Sequence, residues 1–82
     1  MRSILSTGER EVAELLAAGH DVESIATERD ESVEATRKAV DRVREKTDRA
    51  FATLLESPFT GDAADDLPAD ERERLRAALE DA

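Results

Sequence analysis

From Val33 to Ser57 nothing in the chain breaks a helix, and Pro58 is the first residue that must end one. Along that stretch Val33, Thr36, Val40, Val43, Thr47, Ala50 and Leu54 recur at alternating spacings of three and four, the seam of a heptad repeat. A helix this long in a chain of 82 residues leaves room for one small domain of packed helices. Thr47 and Asp48 could cap a restart, so two abutting helices fit the same stretch.

The flanking segments carry helical signals too. Thr7 to Ala18 places Val12, Leu15 and Leu16 at helical spacing, with Ser6 and Glu9 set as a capping box and Gly19 as the stop. Asp21 suits the N-cap of a short helix from Val22 to about Arg29, its inner face Val22, Ile25 and Ala26, and Ser32 suits the cap of the long one. Beyond Pro58 the composition turns to Thr, Gly, Asp and Ala, which reads as an acidic linker over residues 58–67. Pro68 fits the first turn of a last helix, with Leu75, Ala78 and Leu79 on one face. The expectation is an all-α chain: a helical domain at 1–57, a linker at 58–67 and a C-terminal helix at 68–82.

Composition removes most chemistries. Without cysteine there is no disulfide scaffold, no thiolate zinc site and no thiol nucleophile. His20, the one histidine, follows Gly19 at a helix end, where an imidazole stabilises the last carbonyls. The run Asp62-Ala63-Ala64-Asp65-Asp66 lacks the spaced oxygens and turn glycine of a calcium loop. No glycine-rich phosphate loop or nucleophile–base pair can be assembled, so neither an enzyme nor a cofactor is expected. The longest apolar stretch is too short to span a bilayer, and Met1-Arg2-Ser3-Ile4-Leu5 does not read as a signal peptide. A soluble, cytoplasmic protein is the expectation.

The charge is large and uneven. Twenty-one acids against twelve bases give −9, and of the bases only Lys38 and Lys46 are lysines. Strong acidity with few lysines and many small residues resembles the proteins of haloarchaea, whose surfaces stay hydrated when salt shrinks electrostatic range to a few ångströms. Yet between Val33 and Phe51 six bases face four acids, so that segment is +2 while the remainder is −11. A basic face beside an apolar seam, in an otherwise acidic chain, is the footprint of a helix that meets phosphates. A solvated helix laced with pairs such as Glu34–Lys38 accounts for the same charges.

The order of the motifs resembles a known family. The opening Leu5-Ser6-Thr7-Gly8-Glu9-Arg10-Glu11-Val12-Ala13-Glu14-Leu15-Leu16, ending at Gly19, is similar to the start of sigma-factor region 4 and LuxR-type helix-turn-helix domains. Val22-Glu23-Ser24-Ile25-Ala26 matches the start of their positioning helix. Ser32-Val33, Arg37, Val40, Arg42 and Arg44-Glu45-Lys46 fall where their recognition helix has Ser-Val, a base, an apolar residue and Arg-x-Arg-Glu-Lys. Archaeal regulators of the Tfx kind share this plan. The resemblance covers Leu5 to about Ala52, and departs from the pattern at Arg29, Asp30, Glu31 and Thr36. Asp30 stands for the turn glycine, and Arg29 and Glu31 stand where apolar residues pack inward, so they either snorkel or remodel the turn.

What the resemblance implies is a trihelical core with an extended third helix, acting as a small transcriptional regulator on double-stranded DNA; the acidic composition adds the expectation of a halophilic archaeon or its virus or plasmid. Ser32 to about Lys46 would enter the major groove, with Glu34, Ala35, Arg37 and Lys38 facing bases and Arg42, Arg44 and Lys46 mostly meeting phosphates. Phe51, Leu54, Leu55 and Phe59, with Leu75 and Leu79, are spare apolar residues that either pack together or form a homodimer interface. The rival expectation is a helical interaction module, an adaptor or anti-factor with a protein partner in the transcription machinery, on a scaffold that no longer binds DNA.

Overall fold

The computed structural model describes residues 3–81, and every described element is helical. The helices are α1 (Thr7–Ala17), α2 (Val22–Glu28), α3 (Val33–Glu56), α4 (Thr60–Asp65) and α5 (Ala69–Glu80). Met1, Arg2 and Ala82 lie outside the described residues, and with them the outer ends of the expected segments 1–57 and 68–82. No helix among the described residues is long and apolar enough to cross a membrane. The chain divides into a unit ending at Phe51 and a unit starting at Ala52, six residues before the boundary expected at Ser57.

In the first unit the ends of the helices are tightly specified. Ser6 and Glu9 form the expected capping box on α1, and Asp21 Oδ1 accepts from the Ser24 backbone N–H at the start of α2. Gly19 has φ +95° after α1, with the Gly19 N–H donated to the Leu16 carbonyl and the His20 N–H to Leu15. Asp30 repeats that left-handed turn after α2, at φ 52°, with the Asp30 and Glu31 N–H groups donated to Thr27 and Ala26. Both are Schellman turns, one made by glycine and one by aspartate. The His20 ring also shares a 2.8 Å hydrogen bond with Ser24 Oγ, linking the α1–α2 turn to α2.

The core is small. Val12 of α1, Ile25 of α2 and Ala39 of α3 are buried together, with Leu15, Leu16 and Val40 packed around them. The heptad seam is covered only in its first half: Thr36 is buried and Val33, Val40 and Val43 are half-buried, whereas Thr47, Ala50 and Leu54 are exposed. Thr47 does not restart a helix. Its hydroxyl donates to the Val43 carbonyl at 2.8 Å, one turn back, and α3 runs through unbroken.

The second unit has no buried side chain among its described residues. The stretch read as linker contains α4, whose N-cap Phe59 supplies no side-chain bond, while the Thr60 hydroxyl reaches back to the Leu54 and Ser57 carbonyls. Pro68 is the N-cap of α5 and not its first helical residue. Leu55 is 87% exposed and Phe59 70%, with Leu54, Leu75 and Leu79 also open.

Candidate nucleic-acid interface

The first half of α3 has two sides. Ser32 caps it, its Oγ accepting from the Ala35 N–H at 3.0 Å. Val33, Thr36, Ala39, Val40 and Val43 then turn toward α1 and α2, so the residues between them must face outward. Ser32, Glu34, Ala35, Arg37, Lys38, Arg42 and Arg44 are all exposed, and Lys46 is half-buried. Arg37 and Arg44 form no ion pair within 4 Å among the described residues, and Lys38 makes only a loose 3.9 Å pair with Glu34. The strip is not purely basic: Glu34, Asp41 and Glu45 are exposed on the same part of the helix.

Two of the expected phosphate contacts are already occupied. Glu9, buried at the start of α1, receives Arg42 Nε at 3.2 Å and Lys46 Nζ at 2.6 Å. Lys46 also donates to the Ile4 carbonyl at 3.2 Å. The Lys46 ammonium, aided by the Ser6 N–H and by Arg42 and opposed by partial burial, lowers the Glu9 carboxyl from 4.5 to about 2. A capping residue is thus also the anchor of two α3 cations. Sequence reading found the cap and missed the anchor. The available signal was that Glu9 precedes Val12 by three residues, on the inward stripe, while Arg42 and Lys46 are themselves one turn apart.

The polar residues of the α2–α3 turn do not remain unpartnered. Arg29 Nη1 donates to the Gly8 carbonyl at 3.2 Å and pairs with Glu11, and its Nε donates to Glu31 Oε1 at 3.1 Å. That same Glu31 oxygen accepts from the buried Thr36 hydroxyl at 3.1 Å. Arg29, Glu31 and Thr36 therefore form one network joining α1, the turn and α3. Gly8 makes room for it, since a Cβ there would sit 3.2 Å from Arg29 Nη2.

The expected dimer residues Phe51, Leu54, Leu55, Phe59, Leu75 and Leu79 are all exposed. No three His, Cys, Asp or Glu side chains among the described residues are grouped to hold a metal ion. Compared with protein-family models, curated proteins and solved structures, the chain matches none.

Proposed function

We propose that this chain is a small helix-turn-helix transcriptional regulator that binds double-stranded DNA with the first half of α3. One observation carries the reading. A tight left-handed turn at Asp30 leads into a helix with a buried inner side and an exposed outer side holding Ser32, Ala35, Arg37, Lys38 and Arg44. Side chains early on such a helix have the reach and donor chemistry for base edges, and the later bases suit phosphates. The acidic excess fits a halophilic cytoplasm, where molar salt screens repulsion between the body and DNA.

The reading includes a homodimer. A single small unit covers little DNA, and two units would read half-sites about one helical turn apart. Leu54, Leu55, Phe59, Leu75 and Leu79 supply exposed apolar surface for pairing. Retention of genomic fragments from the source organism at molar KCl tests the function: wild type should retain fragments that Arg37→Ala/Lys38→Ala releases. Retention by neither protein, or equally by both, contradicts it. Sedimentation at the same salt should show a dimer that Leu54→Asp/Leu55→Asp splits into folded monomers.

A second reading, a protein-interaction module on this scaffold, is favoured by a specific feature. Glu34, Asp41 and Glu45 interrupt the basic strip, and Arg42 and Lys46 are both engaged by Glu9. A protein that is dimeric and folded at molar KCl yet retains no DNA would favour that module.

A further inference from the structure

Glu9 does not treat its two α3 cations alike. Glu9 is 6% exposed, and its carboxylate oxygens are shared among Ser6 N–H at 2.9 Å, Lys46 Nζ at 2.6 Å and Arg42 Nε at 3.2 Å. The Lys46 side chain is 24% exposed, and two of its three ammonium donors are used, one by Glu9 and one by Ile4. Arg42 is 54% exposed and gives Glu9 only its Nε edge. Its Nη groups make no hydrogen bond to another described residue. A guanidinium pinned at one edge has lost much of its rotamer freedom and offers its other donors in a fixed direction.

Resting on the DNA reading above, we propose that Glu9 is a positioning residue of the interface: it withholds Lys46 from the phosphate backbone and fixes Arg42 so that its Nη groups meet one phosphate. Lys46 then belongs to the scaffold that ties the residues before α1 to α3, and Arg42 belongs to the binding surface. Phosphate contacts can be counted. Each one adds about 0.9 to the slope of log affinity against log salt, or about eightfold in affinity per tenfold change in salt.

The test is a salt titration of binding to a mixed-sequence duplex of about three helical turns, which reports phosphate contacts independently of any operator. It starts from the lowest KCl concentration at which circular dichroism shows full helicity. Arg42→Met should flatten the slope by about 0.9, whereas Lys46→Met should leave it unchanged. In the Arg42→Met background, where no Arg42 contact can change, Glu9→Gln should free Lys46 and steepen the slope by about 0.9, and adding Lys46→Met should cancel that gain. Equal flattening by Arg42→Met and Lys46→Met overturns the assignment, as does an unchanged slope when Glu9→Gln is added to folded Arg42→Met. If Glu9→Gln does not fold, the Arg42→Met and Lys46→Met comparison decides alone. Failure of the folded wild type to bind the duplex at any salt overturns the DNA reading itself, and this assignment with it.

Discussion

At the scale of single residues, Glu9 links folding to acidity. Its carboxyl titrates near 2 in the folded chain against 4.5 ordinarily, because Lys46, the Ser6 N–H and Arg42 favour the charged form. A group whose pKa is depressed by folding contributes stability above its unfolded pKa and loses it as pH falls toward the folded one. The Glu9 contribution is therefore complete above about pH 4.5 and disappears between there and about pH 2. Denaturant midpoints should fall through this window in wild type, and fall less in Glu9→Gln, which has no charge to lose. Parallel pH profiles for the two proteins would contradict the anchoring role.

At the scale of elements, the α2–α3 turn is held by a connected polar set. Arg29 is 21% exposed and Glu31 28%, so each keeps some water while pairing with the other and, through Glu31, with Thr36. Removing Arg29 leaves the half-buried Glu31 without its cation, whereas replacing all three with apolar side chains restores a consistent site. Arg29→Leu should cost about 1–2 kcal/mol, and Arg29→Leu/Glu31→Leu/Thr36→Val should return to within about 1 kcal/mol of wild type. Urea denaturation measures both, and a single variant as stable as wild type removes the network's energetic role. Helix starts and stops were legible because their signals are local: Ser6, Gly19, Asp21 and Ser32 act on backbone groups within a few residues. The Arg29 network was not legible, because Gly8 and Glu11 are distant in sequence and meet Arg29 only after folding. The short helix α4 also escaped sequence reading, since Thr60 and Gly61 are weak helix formers and Phe59 provides no cap. Heptad spacing predicted the seam of α3 correctly in its covered half but missed Ala39, which lies beside Val40 and reaches the core because it is small.

At the scale of the whole molecule, charge and core size compete. A core of a few small aliphatic side chains must hold together a chain with a net charge of −9. Self-repulsion acts over about 10 Å at 0.1 M salt and about 3 Å at 1 M, so molar KCl should raise the melting temperature. Equal melting temperatures at the two salts would remove the physical basis for the halophilic reading. Amide NMR of the labelled protein during titration with duplex DNA reads the proposed interface residue by residue. Shift changes should concentrate on Ser32, Glu34, Ala35, Arg37, Lys38, Arg42 and Arg44, with α5 unaffected. Shifts confined to Leu54–Phe59 and α5, or no shifts at saturating duplex, would contradict it.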